Sequence, residues 1–300
     1  MKLGFQNQKG SHFEVVRDLT PAELEAHRAH TKVVMEARNR LALFRMLETN
    51  YREFRDFVDD LLTLKRVDHS NDGEELDRLL LNYLTFAYSI QQHFEVSFKR
   101  RFKKDEVAKK RYADFLDRLC AACWPFAFIL DFRGYVQHVG LGVGDFKRNV
   151  TLSSVNVRIT ADPARLTRES RQWERSGLSA NSDAIDLLEI LHEFHIQMLQ
   201  SYGNFVATTF FPELVPASDF YGDLTEEVKQ RDPEARMIFF EKEPEVIREE
   251  GGKFRINAQA AFPPNSLFDE LGIIRPKRTP NNKWCCEVAA IAETSSAPFS

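Results

Sequence analysis

The sequence predicts a mainly α-helical protein: a bundle of long antiparallel helices, a small β-hairpin insertion and a mixed C-terminal appendage. Apolar residues recur every three or four positions over long stretches, the period of one buried helix face. The first of these stretches contains no glycine or proline to break it. The chain also holds 25 Phe in 300 residues, with 43% apolar residues in all, enough bulk for thick helix–helix packing.

Residues 1–19 read as an N-terminal segment with a short strand at Phe13-Glu14-Val15-Val16. Thr20-Pro21-Ala22-Glu23 is a helix start: Thr caps, Pro suits the first helical position, and Glu completes a capping box. The stripe Val34, Ala37, Leu41, Phe44, Leu47, Tyr51, Phe54, Val58 and Leu61 then marks one face of a very long helix. After a polar turn from Lys65 to Gly73, a second helix begins near Asn71, with Glu74 three residues on. Its stripe is Leu76, Leu80, Tyr83, Ala87, Ile90, Phe94 and Phe98. A third helix carries Tyr112, Phe115, Leu119, Cys123, Phe126 and Ile129. Pro125 lacks a backbone donor and is expected to kink it.

Beyond Gly140-Leu141-Gly142-Val143-Gly144 the period changes. Val150, Leu152, Val155, Val157 and Ile159 alternate as strands do, giving a short β insertion near residues 150–160. Asp162-Pro163 opens a short helix toward Trp173. Ser182-Asp183 opens another, with stripe Ile185, Leu188, Leu191, His195, Met198 and Tyr202. Phe211 to Pro216 ends a helical domain of residues 20–215. Residues 216–275 form a small mixed appendage, with strands near Met237–Glu241 and Lys253–Ile256. Residues 276–300, rich in Pro, Asn, Ser and Thr, are expected to be disordered.

The formal net charge is −4, so the chain as a whole is not an electrostatic nucleic-acid binder, and any RNA contact must be local. No stretch approaches the ~20 apolar residues of a membrane span, and the N-terminus lacks the apolar core of a signal peptide. The expected partners therefore exclude a membrane, and the expected location is the cytoplasm. Four cysteines, Cys120-x2-Cys123 and Cys285-Cys286, are expected as free thiols there. Cys120 and Cys123 lie a turn apart in an apolar helix, which favours buried core thiols over zinc ligands.

The chemistry-bearing stretch runs from Phe126 to Leu141. An apolar helix delivers Arg133 and, five residues on, His138; glycines then end the helix. Arginine holds phosphate by paired hydrogen bonds, and histidine moves protons near neutral pH. Five residues turn an ideal helix through ~500°, leaving the two side chains ~140° apart. Gly134 and Gly140 are expected to relax the backbone between them and help both reach one phosphate. A bland reading stands beside this one: Arg133 pairs with Asp131 or with another helix, and His138 caps a helix C-terminus.

Gly140-x-Gly142-x-Gly144 is read as a helix stop and loop, because a nucleotide-binding turn needs a strand before it. Eight cations, Lys99, Arg100, Arg101, Lys103, Lys104, Lys109, Lys110 and Arg111, flank Phe102 and precede Tyr112. They read equally as an RNA groove with stacking aromatics or as a solvated turn. Glu189-x2-His192 with His195 raises a metal alternative, but His195 falls on the apolar stripe and is expected as a hydrogen-bonded core histidine. Asn82, Tyr88 and His93 are candidates to reach the Arg/His helix from the second helix.

The segment Phe132-Arg133-Gly134-Tyr135-Val136-Gln137-His138-Val139-Gly140-Leu141 resembles the signature neighbourhood of the HEPN superfamily, helical bundles defined by an Arg-x4-6-His motif on one helix. Asn82-Tyr83-Leu84 is a second trace, and the resemblance covers roughly residues 20 to 210. Many prokaryotic members are endoribonucleases of toxin and anti-phage systems. The resemblance implies a metal-independent RNA endonuclease without a cofactor, working as a homodimer, with an antitoxin or regulatory protein as a further partner. Arg133 would bind the scissile phosphate and His138 would act as general acid or base, leaving a 2′,3′-cyclic phosphate. Asp131, Tyr135, Gln137 and Asn82 would support them. The residue after the arginine is usually polar in active members and is Gly134 here. The alternative function is therefore a catalytically inactive HEPN-like protein that binds a nucleotide or a partner protein.

Overall fold

A computed structural model describes residues 1–7, 13–63, 71–139, 145–151, 155–242, 245–248, 254–257 and 260–261. The chain is mainly helical with small antiparallel sheets. The described residues fall into two compact units, one of residues 1–40 with those from 207 onward, the other of residues 41–206. The glycine loop 140–144, the Cys285-Cys286 pair and the 276–300 tail lie outside the described residues. No helix among the described residues is long and apolar enough to cross a membrane.

In the first unit, β1 (Lys2–Gln6) lies between β2 (Phe13–Asp18) and β6 (Arg236–Phe240), antiparallel to both. The N-terminal segment and the C-terminal appendage, far apart in sequence, thus share one sheet. The β1–β2 register shifts between Leu3 and Gly4. A Cβ at Gly4 would run into the Phe240 ring and the Glu14 carbonyl oxygen, so only glycine fits there. Helix α1 (Pro21–Leu62) starts with the capping box in place: Thr20 N–H donates to Glu23 Oε2 at 2.8 Å, and Glu23 N–H to Thr20 Oγ1 at 3.2 Å. Arg17 clamps the start of α1 to α8 (Leu214–Lys229), donating to Glu23 at 2.7 Å and Glu227 at 2.7 Å.

The helical region runs to Lys229 instead of ending at Pro216. Pro216 falls in the first turn of α8, where its missing N–H has no intrahelical partner to lose. Three further short strands are β7 (Glu245–Arg248), β8 (Phe254–Asn257) and β9 (Ala260–Ala261). The first two pair with each other, and β9 extends the β1 sheet beyond β6.

The second unit packs the rest of α1 with α2 (Asp72–Arg101), α3 (Glu106–Ala122), α4 (Trp124–His138) and α6 (Leu187–Gln197). Every stripe residue of the first two helices is buried. A fully buried Phe or Leu side chain contributes about 1.5–3 kcal/mol relative to exposure, so these stripes are the main cohesive force. The expected single kinked helix is two helices. Cys123 adopts extended backbone, ends α3 and precedes α4, and Pro125 sits in the first turn of α4. Proline is favoured at a helix start, so it opens a new helix here and does not bend an old one. Cys123 is buried, but Cys120 is only half-buried.

The β insertion is a hairpin, β3 (Asp145–Val150) with β4 (Val155–Ala161), extended by β5 (Ile185–Asp186). Asp162 caps α5 (Pro163–Glu169) through Ala164 N–H, and the helix stops short of Trp173. The next helix starts at Leu187, not Ser182. Asp186 caps it, its carboxylate accepting from Leu188 N–H at 2.9 Å. A π turn, Met198–Tyr202, continues α6 into α7 (Gly203–Phe210).

Candidate functional site

The Arg/His motif lies on α4, and that helix is anchored by residues the sequence offered as catalytic support. Asp131 is buried, and its Oδ2 accepts from Arg175 N–H at 3.1 Å, Ser176 N–H at 2.9 Å and Ser176 Oγ at 2.9 Å. That carboxylate organises the turn around residue 176; it pairs with no arginine side chain among the described residues. Tyr135 has 0% exposure and donates its hydroxyl proton to Glu169 on α5. Both side chains therefore fasten α4 to its surroundings and do not face a ligand. Gln137 and Asn82 are exposed and make no side-chain hydrogen bond among the described residues.

Arg133 is different. Its guanidinium lies over the Tyr88 ring of α2, with Cζ 3.2 Å from the ring centroid. Its Nε is buried and has no hydrogen-bond partner among the described residues, and no carboxylate pairs with the group there. Burial pulls its pKa below the usual arginine value, an effect the Tyr88 oxygen partly offsets. Tyr88 is in turn held by Gln92, whose Nε2 donates to its hydroxyl oxygen at 2.5 Å. His138, the last residue of α4, is exposed and makes no side-chain hydrogen bond among the described residues.

The helix is regular through both motif residues, so Gly134 does not relax it; the side chains leave it ~140° apart and about 7.5 Å apart along the axis. A Cβ at position 134 would meet only Gln172 Oε1, at 2.9 Å, the end of a flexible side chain. Tyr88, one of the three α2 residues offered as reaching the motif helix, does reach Arg133, through its ring and its hydroxyl oxygen. Its position beside Ala87 on the α2 stripe was the available signal. His93 packs on Phe94.

The basic cluster spans the end of α2 and the start of α3. Lys99, Arg100, Arg101, Lys103, Lys104, Lys110 and Arg111 are exposed, and Lys109 is half-buried. Lys99 pairs with Glu95 at 2.5 Å and Lys109 with Glu106 at 2.6 Å. Phe102 is half-exposed, with Arg101 over its ring at 5.5 Å. Tyr112 does not serve as a stacking platform. It is buried, its hydroxyl lies 3.0 Å from that of Tyr202, and burial pushes its pKa up to about 12.

A second polar constellation links α1, α2 and α6. His195, fully buried, bonds Glu48 Oε2 through Nε2 at 2.8 Å and the Tyr83 hydroxyl through Nδ1 at 3.2 Å. Tyr51 stacks on the His195 ring at 3.8 Å and bonds His192 Nδ1 at 2.8 Å. The hydrogen bond from His195 holds the Glu48 carboxyl below its ordinary range, and burial lowers the His192 pKa. His195 is thus a core histidine with both nitrogens in use. Among the described residues no group of three or more His, Cys, Asp or Glu is arranged to hold a metal ion. Sequence spacing flagged the two histidines but not Glu48, Tyr51 and Tyr83, which only the packing of three helices brings to them.

No family model, curated protein or solved structure matches this chain.

Proposed function

We propose that the protein is a HEPN-like, metal-independent endoribonuclease, acting in the cytoplasm as a homodimer in a toxin or anti-phage role. The biological role and the dimer come from the family resemblance of the Phe132–Leu141 segment. The observation that carries the chemical reading is Arg133: a partly buried guanidinium with no carboxylate partner among the described residues. A charge withdrawn from water without a counter-ion is costly, and an anion arriving there relieves that cost. A phosphodiester supplies an oxygen pair that matches guanidinium geometry.

In this reading Arg133 holds the scissile phosphate and stabilises charge on its oxygens as the transition state forms. The substrate's 2′-hydroxyl loses its proton to a histidine base and attacks phosphorus. The P–O5′ bond breaks, and the leaving oxygen takes a proton from a histidine acid. The products are a 2′,3′-cyclic phosphate and a 5′-hydroxyl. A single helix sends Arg133 and His138 in different directions, so pairing of the motif with a second subunit's copy supports the geometry better than one chain acting alone. The cations from Lys99 to Arg111 would follow the RNA backbone.

The regular helix and the docking of Arg133 on Tyr88 also favour a second reading, an inactive HEPN-like protein that binds a nucleotide or a partner protein. RNA incubated with the parent protein and chelator, beside Arg133→Ala and His138→Ala, separates the two. Nuclease action predicts cleavage by the parent and a loss of about 100-fold or more in each variant. Binding of ATP or RNA without cleavage by any of the three supports the second reading.

A further inference from the structure

We infer that Tyr88 is a positioning residue that fixes the Arg133 guanidinium as a phosphate ligand; this rests on the reading of Arg133 as the anion-holding group. An arginine side chain has several rotatable bonds, and freezing them on binding costs free energy. Tyr88 removes part of that cost in advance. The guanidinium carbon lies over its ring at 3.2 Å from the centroid, within the range where the ring's negative face attracts a cation. The phenol oxygen in turn accepts from Gln92 Nε2 at 2.5 Å, one turn along α2. Arg133 stands on α4, which Asp131 and Tyr135 fasten on either side in sequence. The helix that carries Arg133 is therefore anchored independently of any ligand, and Tyr88 has one hydrogen-bond partner of its own.

The stack also decides which edge of the arginine is on offer. Nε is buried and has no hydrogen-bond partner among the described residues, which leaves the terminal nitrogens as the donors to be offered to an arriving phosphate. A carboxylate in the place of Tyr88 would have neutralised the group and competed with phosphate. A π face orients the charge without neutralising it. The same contact accounts for a half-buried arginine that tolerates the absence of an ion pair. The neighbouring Gly134 leaves only Gln172 beside the helix at this level, so no Cβ at position 134 adds bulk beside the arginine.

The test uses the full chain with arginine side chains isotopically labelled, and inorganic phosphate as the probe. The buried Arg133 Nε–H exchanges slowly with water and lies against an aromatic face. Its NMR signal is expected to be ring-shifted, and Arg133→Lys assigns it by its disappearance. Phosphate is expected to shift that signal in the parent and in Tyr88→Phe, which keeps the ring. In Tyr88→Leu the affinity read from the same signal is expected to fall about tenfold, while the thermal unfolding curve stays cooperative. Equal phosphate affinity in the parent and Tyr88→Leu overturns the inference, as does a parent signal that phosphate leaves unmoved. If Tyr88→Leu fails to fold, Tyr88→Met and Tyr88→Phe carry the comparison, and equal affinity in those two also overturns it. Phosphate binding that depends on Tyr88, in a protein that leaves RNA intact, would sink the nuclease reading alone and leave the positioning role standing.

Discussion

At the scale of single residues, the motif helix separates the side chains that anchor it from the two proposed to act on RNA. Among the described residues, Arg133 has no ion pair and its Nε no hydrogen bond, and exposed His138 and Gln137 make no side-chain hydrogen bond. Asp131 and Tyr135, which sequence proximity placed beside them as support, are spent on the turn at Ser176 and on Glu169. Replacing Asp131 by Ala strands the Arg175 and Ser176 amides. Each buried donor left unsatisfied costs about 1–3 kcal/mol. Denaturant unfolding of Asp131→Ala is therefore expected to show a loss of ~2–4 kcal/mol. RNA cleavage per folded molecule is expected to stay near the parent's, whereas a catalytic carboxylate would lose it. Arg133 and His138 stand out in the sequence by residue type and spacing. The true partners of Asp131 and Tyr135 do not, because they lie 34 to 45 residues away in loops and a short helix whose docking no local pattern encodes.

At the scale of elements, the long helices were readable from their stripes because burial follows the helical period. Every predicted stripe residue of α1 and α2 is in the core. Boundaries were read where a cap is written in side chains, as at Thr20 and Glu23. They were missed where a turn precedes the cap: Ser182-Asp183 has the right residue types, but Asp186 makes the capping bond. Pro125 was misplaced because the same residue breaks one helix and starts another, and only the extended Cys123 between them decides. The junction of α2 and α3 displays exposed Lys103 and Lys104, unlike Lys99 and Lys109, which have acidic neighbours. If this turn follows RNA, Lys103→Gln with Lys104→Gln makes the salt dependence of single-stranded RNA binding shallower by about 1.4 in log–log slope. An unchanged slope makes the cluster a solvated turn.

For the molecule as a whole, sequence reading recovered the mainly helical class but not which distant segments share a sheet. The β1–β6 pairing joins residues 230 to 238 positions apart, and a local trace of it is the obligatory Gly4. Burial and ion pairing also fix how the fold answers to acid. Burial, and then the charges of His30 and Arg28, lower the pKa of His27; burial, and then His195 and Arg55, lower that of His192. The unfolded chain therefore binds more protons than the native one as pH drops below the ordinary histidine value of 6.5. Stability from this source is full above that value and is lost as pH falls through it. Glu23 is held down at about 2 by Arg17, and Glu48 and Glu227 are lowered by His195 and Arg17. Their contribution is full above the ordinary value of 4.5 and is lost below it. Asp77, raised by burial, acts in the opposite sense but alone. Urea midpoints are expected to decline between pH 7 and 5.5 and to drop again below pH ~4.5; midpoints level across the first interval would contradict the histidine part.

The central claim, that Arg133 and His138 cut RNA through its own 2′-hydroxyl, is tested most directly by end-group analysis of RNA treated in excess chelator. One substrate carries ribose at every position and a matched one carries 2′-deoxyribose at the cleaved linkage. The account predicts 2′,3′-cyclic phosphate and 5′-hydroxyl ends from the first, no cut at the substituted linkage of the second, and no products from Arg133→Ala or His138→Ala. Cutting at the deoxy linkage, equal cutting by either variant, or intact RNA with the parent would contradict it.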